Sequence, residues 1–386
     1  MKRIAILTAT RAEYGLLRNL ILKMQELDTV ETKVLVTGAH LSEAYGMTYK
    51  ELEADGVEIY KSIPILGNEE GIGEITSAMS IATKEFGKLL AQEKFDFLVV
   101  LGDRYETFAV CAAALATNTP IAHICGGDTT EGAIDEAIRH CITKMSYLHF
   151  TSTEIAKNRV IQLGEQPERV FCVGAPGVEN ALTTELLTKE DLEKELGFIL
   201  DKPYAVVTFH PVTLEGSVET QLEEVLDALD AWDMKYIITK ANADNGGMVI
   251  NERLEQYAKQ RENVYLTSSL GMKRYLSAVK YAEMVIGNSS SGLMEVPSMG
   301  VPTINIGNRQ RGRVQGNSVL NCATDKEKIC EAMRKAQTEE MRNICSKKQN
   351  PYGSGNTSEK IVKFLLEYLE KDIDLKKRFY DIPNEE

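Results

Sequence analysis

The chain is short of the signatures that mark several common protein classes. Its seven cysteines include no Cys-x-x-Cys pair and are odd in number, which argues against a zinc ribbon or a disulfide framework and for reduced thiols, most of them expected as small core residues. The five histidines, His40, His123, His140, His149 and His210, are not at zinc spacing, so no metal is expected. No Gly-x-Gly-x-x-Gly follows a predicted strand and no Gly-x-x-x-x-Gly-Lys-Ser/Thr occurs, which counts against nicotinamide dehydrogenases and P-loop ATPases. No apolar run approaches the length of a membrane span. The opening Met1-Lys2-Arg3 leads into Ile4-Ala5-Ile6-Leu7-Thr8, too short for a signal sequence, and a cytoplasmic location is expected. Positive charge is also scarce: 44 Lys and Arg against 57 Asp and Glu leave a net charge of −13. A nucleic acid or an anionic membrane would need a basic field, so neither is expected as a partner. Any phosphate must be held by a few local cations and by backbone dipoles.

What is present is a soluble composition, 43% hydrophobic and 26% charged over 386 residues, a length that suits two domains. Short apolar runs alternate with longer amphipathic stretches, the rhythm of parallel sheets with crossover helices. Strands are predicted at 4–8, 32–36, 97–101, 121–124 and 148–151, then at 204–209, 236–239, 264–266, 284–286 and 303–306. Helices are predicted over 14–26, 132–145 and 358–371 from apolar residues at helical spacing. The fold class is therefore α/β, with two Rossmann-like doubly wound domains and a cleft where the carboxyl ends of their strands meet. Val173-Gly174-Ala175-Pro176-Gly177 interrupts the periodicity. It places an N-terminal domain at 1–175 and a C-terminal domain at 176–371, with the last strong helix, before a charged tail at 372–386 that is expected to fray.

Polar residues just past predicted strands carry the candidate chemistry. Gly102-Asp103-Arg104 follows one strand; read alone, the tripeptide is more often a turn with a local ion pair. Cys125-Gly126-Gly127-Asp128 follows another, and Asp135, Glu136, Arg139 and His140 lie on the next helix, where Asp135 and Arg139 at i,i+4 can be a plain surface pair. Carboxylates gathered at one strand edge suit acid–base work on an unactivated carbon, because unlike surroundings separate their pKa values. Arg11, opening the first crossover helix, is placed to meet an anion. In the second half His210 and Asn242 follow strands, and Asn288-Ser289-Ser290-Ser291-Gly292-Leu293-Met294-Glu295 reads as a strand–loop–helix junction that serves equally as a helix cap or as a phosphate cradle. Arg309, Arg311 and Arg313 form the densest positive run on an acidic chain, which favours a phosphate over a solvated loop.

Taken together, Thr10-Arg11-Ala12-Glu13-Tyr14, Val36-Thr37-Gly38-Ala39-His40-Leu41-Ser42, Gly102-Asp103-Arg104, the block from Gly126 to His140, His210-Pro211-Val212-Thr213, Asn288 to Glu295 and Gly307-Asn308-Arg309-Gln310 resemble the hydrolysing UDP-N-acetylglucosamine 2-epimerases of sialic acid biosynthesis, in order from about residue 4 to about residue 365. The resemblance implies a glycosyltransferase-B-like fold, no metal or other cofactor, and a homodimer or larger assembly. It implies conversion of UDP-N-acetylglucosamine and water into N-acetylmannosamine and UDP, by elimination to a 2-acetamidoglucal and then hydration. By resemblance, Asp103 and Asp135 are acid–base carboxylates. Arg11, Arg104, His210, Ser289, Ser290 and Arg309 hold the phosphates, Asn242 positions the nucleotide and Glu295 meets the ribose. At Cys125 family members can carry a catalytic glutamate; a thiol is no simple substitute, and Asp128 is expected to take that role. Four alternatives stand beside this reading. A relative in the family acts on UDP-N,N′-diacetylbacillosamine on the legionaminic acid route; a reversible, non-releasing epimerase would share the fold, but Gly102-Asp103-Arg104 and the Gly126-Gly127 block resemble the hydrolysing branch; a silent nucleotide-sugar sensor would lack competent acids; a glycosyltransferase would need an acceptor.

Overall fold

The computed structural model describes residues 1–67, 72–130, 134–211, 217–241 and 247–383. They form two compact units, one of Met1–Glu179 with Gly355–Glu386, the other of Asn180–Ser354.

The first unit is built on strands β1 (Lys2–Thr8), β2 (Val30–Thr37), β3 (Ile59–Ile63), β4 (Phe97–Leu101), β5 (Ile121–Ile124), β6 (Leu148–Thr151) and β7 (Val170–Cys172), hydrogen-bonded in the order β3-β2-β1-β4-β5-β6-β7. Every pairing is parallel. Each strand must therefore return through a crossover, and helices cover both faces. That is why β4, Phe97-Leu98-Val99-Val100-Leu101, is buried along its whole length. The first crossover helix, Arg11–Gln25, starts at a capping box: the Thr10 hydroxyl accepts from the Glu13 N–H while the Glu13 carboxylate accepts from the Thr10 N–H.

The second unit repeats the architecture with β8 (Tyr204–Thr208), β9 (Lys235–Thr239), β10 (Val264–Thr267), β11 (Met284–Gly287), β12 (Thr303–Ile306) and β13 (Val319–Cys322), in the order β10-β9-β8-β11-β12-β13 and again all parallel. β8 and β11 approach so closely that a Cβ on Gly287, at φ +135°, would lie 1.9 Å from the Thr208 carbonyl oxygen. Only glycine fits there. The sequence pattern passes over β3, β7 and β13, sheet-edge strands whose burial is incomplete. A half-exposed edge strand carries no continuous apolar run.

The C-terminal segment departs from expectation twice. The helix Thr357–Leu369 belongs to the first unit, where Ile361, Leu365, Tyr368 and Leu369 join the core under Arg11–Gln25 and Phe364 stacks on Phe171 at 3.9 Å between ring centroids. Its first turn is held by Glu179, which accepts from the Ser358 N–H at 2.9 Å. The domain boundary thus moves to Glu179/Asn180, and the last helix leaves the C-terminal domain, because its apolar stripe matches a groove of the first sheet. The described part of the tail, to residue 383, is also packed on the first unit. The Lys377 ammonium donates to the Lys144 and Ser146 carbonyls and pairs with Glu165 at 2.7 Å, and the Tyr380 N–H donates to the Gly164 carbonyl. Glu165 is sealed in and also meets Lys144 at 2.6 Å and His149 at 3.0 Å. Burial pushes its carboxyl up, but His149, Lys144 and Lys377 outweigh that and hold it down at about 2. Among the described residues no helix is long and apolar enough to cross a membrane. Three cysteines, Cys111, Cys330 and Cys345, are core residues; Cys125, Cys172 and Cys322 are half-buried and Cys141 is exposed, so burial is less general than expected.

Because Glu165 is left short of a cation without Lys377, Lys377→Ala is expected to lower unfolding free energy by about 1–3 kcal/mol in urea titrations, against at most about 0.5 kcal/mol for the exposed neighbour Lys376→Ala.

Candidate functional site

In the first unit the carboxyl ends of β1, β4 and β5 lie side by side, because these strands are neighbours and parallel. Gly102, at φ +77°, turns the chain out of β4 and presents Asp103 and Arg104. After β5, Cys125 takes a left-handed conformation at φ +64° and Gly127 another at +81°; a Cβ on Gly127 would sit 2.3 Å from the Ala156 carbonyl oxygen. That tight path brings Asp128 back over the helix Ile134–Met145. His123 supports both turns from below. Its Nε2 lies 2.8 Å from the Gly102 carbonyl and its Nδ1 faces Thr143, and burial pushes it down to about 3, so the ring is neutral.

Asp103 and Arg104 do not form the local pair that the tripeptide suggests. Asp103 pairs with Arg139, and Arg104 lies with Nε and Nη2 at 3.2 and 3.0 Å from the carboxylate of buried Glu106. Arg139 is likewise no surface partner of Asp135. It is buried, and donates to Asp103, to Glu136 at 2.9 Å, to the Asp128 carbonyl at 2.7 Å and to the Thr130 hydroxyl at 3.0 Å. Asp128 accepts from the Ser152 hydroxyl at 2.7 Å. Burial, and then the charge of Asp103, push the Asp135 carboxyl up. The edge thus holds Asp103 against a guanidinium and Asp135 in a setting that favours its proton. Arg11 stands at the first position of its helix, half-exposed, 3.3 Å from Glu51.

Two groups at this edge escaped the sequence reading. Glu13, visible in the Thr-x-x-Glu spacing of a capping box, is buried and also accepts from the Ala9 N–H at 2.8 Å. Burial, with a contribution from Glu106, pushes it up to about 7. His40 bridges Thr8 at 3.0 Å and Thr48 at 2.8 Å, and burial pushes it down to about 4.

In the second unit one side chain organises the edge. Asn288, just past β11, accepts from the His210 N–H at 2.7 Å and donates to the His210 carbonyl at 2.8 Å, which locks the end of β8 to the end of β11. Its own carbonyl accepts from Arg309 at 3.1 Å and Gln310 at 2.8 Å, which brings in the loop after β12. His210 and Arg309 are therefore brought to the same side chain, with Ser289 and Ser290 between them in sequence. Asn242 lies outside the described residues. The junction itself differs from the expected continuous helix. It is two single turns, Ser291–Met294 and Val296–Met299, and Ser290 makes no side-chain cap. Pro297 has no N–H to carry the ladder onward. Turns this short carry little axial dipole. Glu295 sits at the break, half-buried and hydrogen-bonded to Ser291; burial pushes its carboxyl up, and the sealed Oε2 has no partner among the described residues. The three arginines do not converge. Arg309 meets Asn288, Arg313 points to the Met294 sulfur at 3.7 Å, and Arg311 lines a cavity of about 890 Å³ with Asn305, Gln315, Asn321 and Thr324.

The profile of the family described as UDP-N-acetylglucosamine 2-epimerase matches residues 22–366. The chain belongs to this epimerase family. It is 41% identical over 386 residues to the polysialic acid biosynthesis protein P7 of Escherichia coli, covering 99% of this chain and 98% of that one. It is 40% identical over 385 residues to the hydrolysing GDP/UDP-N,N′-diacetylbacillosamine 2-epimerase of Campylobacter jejuni, covering 99% of each. Among solved structures, the UDP-GlcNAc 2-epimerase from Neisseria meningitidis bound to UDP-GlcNAc superposes with a TM-score of 0.80 at 20% identity, over 95% of this chain and all of that one. The fold is accordingly glycosyltransferase-B-like, and the protein is an enzyme of the hydrolysing UDP-GlcNAc 2-epimerase family.

Glu13 gives this edge a measurable pH signature. Its folded pKa, about 7, exceeds the ordinary 4.5, so the stability linked to its proton is full below about 4.5 and drains as pH rises through about 7. In Glu13→Gln the fall in urea midpoint between about pH 5 and about pH 8 is expected to be shallower than in the parent, measured on both proteins in the same buffers.

Proposed function

We propose that the enzyme converts UDP-N-acetylglucosamine and water into N-acetylmannosamine and UDP, as a step toward sialic acid. The observation that carries the reading is the pair of unlike carboxylate settings at the first unit's strand edge. Asp103 faces the Arg139 cation, while burial and the Asp103 charge favour the proton on Asp135. An elimination needs both a base and an acid in one place. A base takes the C2 proton as the C1–oxygen bond breaks and UDP leaves with the electron pair, giving 2-acetamidoglucal. Water then adds its oxygen at C1, and C2 receives a proton on the opposite face. Asp103, Asp128 and Asp135 are assigned the proton transfers, with Asp128 in place of the glutamate that family members can carry at Cys125. Arg11, Arg104, His210, Ser289, Ser290 and Arg309 are assigned to the diphosphate, whose growing charge such cations and hydroxyls stabilise. Asn242 is assigned to the nucleotide. Glu295 is assigned to the ribose: a buried carboxylate oxygen without a donor is the acceptor that a ribose hydroxyl would satisfy.

A second reading has a specific observation behind it, the 40% identity to the diacetylbacillosamine enzyme. It shares the reaction and differs in the substituents at C4 and C6 of the sugar. A homodimer or larger assembly and a cytoplasmic location belong to the proposal as well; exposed Ile75 and Ile81 on the helix Ile72–Gln92 and Leu115 on Tyr105–Ala116 offer apolar surface for the former.

Incubation with each sugar nucleotide in deuterated water, followed by proton NMR, tests the reading. UDP release without an acceptor, free N-acetylmannosamine and deuterium at C2 are expected. UDP-N-acetylmannosamine as first product, binding without turnover, or turnover confined to the diacetylbacillosamine substrate would each sink it. In the same assay Asp128→Asn is expected to lose at least about 100-fold in kcat, and Cys125→Ala to stay within about threefold of the parent; near-normal turnover in Asp128→Asn removes that aspartate from the chemistry.

A further inference from the structure

Asp103 and Arg104 are neighbours of opposite sign, yet each is held by a different side chain from a following helix. For Asp103 that partner is Arg139, which is only 4% exposed while the Asp103 side chain stays 25% exposed. The cation lies beneath and the carboxylate remains open. A sealed core ion pair would bury both charges and gain little net stability from doing so. Here the guanidinium does more than neutralise. Nη2 donates to Asp103 and to the Thr130 hydroxyl, and Nη1 to the Asp128 carbonyl and to Glu136. One rigid planar fork joins the loop after β4, the loop after β5 and the helix Ile134–Met145. The turns it joins are already narrow, with left-handed Gly102, Cys125 and Gly127 on either side, so the fork sets the remaining freedom of the two aspartate-bearing loops relative to each other.

We infer that Arg139 is a positioning residue for the epimerisation: it acts through the Asp103 carboxylate and the Asp128 loop, holding the two carboxylates in one working geometry. The inference rests on the assignment of Asp103 and Asp128 to proton transfer made above. Among the described residues, the other charged or titratable groups around Asp103 are Arg104 on its own loop, Asp128 beyond β5, Asp135, Glu136 and His140 on the helix Ile134–Met145, and neutral His123 in β5. Glu136 is engaged by His140 at 3.2 Å as well as by Arg139, which leaves Asp103 as the partner that Arg139 alone serves.

The full-length parent, Arg139→Gln and Arg139→Lys are compared for kcat, KM, UDP affinity by calorimetry and urea midpoint, with amide exchange followed in the two loops at Gly102–Arg104 and Cys125–Asp128. In Arg139→Gln, kcat is expected to fall about 100-fold or more with KM and UDP affinity within about threefold, and amide exchange in both loops to quicken. Arg139→Lys keeps the charge without the fork. It should recover only part of kcat. A lower urea midpoint with unchanged kcat of the folded protein and unchanged loop exchange would show a purely structural arginine and overturn the inference. Should the parent release no UDP from any sugar nucleotide, the proposed function falls first, and amide exchange then decides alone: faster exchange of both loops in Arg139→Gln upholds their joining by Arg139, and unchanged exchange ends it.

Discussion

When every strand of a sheet runs the same way, all the carboxyl ends lie along one edge, and residues far apart in sequence become neighbours there. Both units of this chain obey that constraint, and what each edge contains follows from it. In the first, the loops after β1, β4 and β5 assemble Glu13, Asp103, Asp128 and Asp135. In the second, the loops after β8, β11 and β12 assemble His210, Asn288, Glu295 and Arg309. The glycines that allow it are few. Gly127 and Gly287 are the positions where a Cβ would strike backbone at 2.3 and 1.9 Å.

The acidic character of the chain shapes how these edges are held. With a net charge of −13, cations are spent where they organise other groups. Arg139 is buried under Asp103, and Lys144 and Lys377 flank the sealed Glu165. At the second unit's edge the organising side chain is neutral instead. A single amide, Asn288, ties three loops through its side chain and carbonyl, at much lower desolvation cost than a buried charge would carry.

The C-terminal helix and tail show where local pattern ends as a guide. The spacing of Ile361, Phe364, Leu365 and Leu369 identifies a helix but says nothing of its partner. Phe171 and the groove beside Arg11–Gln25 supply one in the first unit, so the chain crosses back to complete the domain with which it began. The charged tail looks solvated in sequence because eight of its fifteen residues are Asp, Glu, Lys or Arg. It is ordered by one ammonium group that finds two carbonyls and a sealed carboxylate.

The central strands β1, β4, β5, β8, β11 and β12 and the main crossover helices were legible from periodicity, because burial on both faces demands apolar runs that few other structures tolerate. The order of motifs along the chain was legible too, and it carried the family. Of the sheet-edge strands β10 was legible, but β3, β7 and β13 were not, since half-exposed segments lose that pattern. The pairing of charges was beyond the sequence for a different reason. Asp103 sits beside Arg104 and Asp135 one turn from Arg139, and local rules favour those pairs. The fold instead turns Arg139 inward to Asp103 and gives Arg104 to Glu106. Sequence by itself determined two parallel α/β layers and which residues reach their carboxyl edges, because hydrophobic period and glycine placement are local. Tertiary structure alone decided which opposite charges meet and where the last helix docks, because electrostatic and packing partners depend on distance in space.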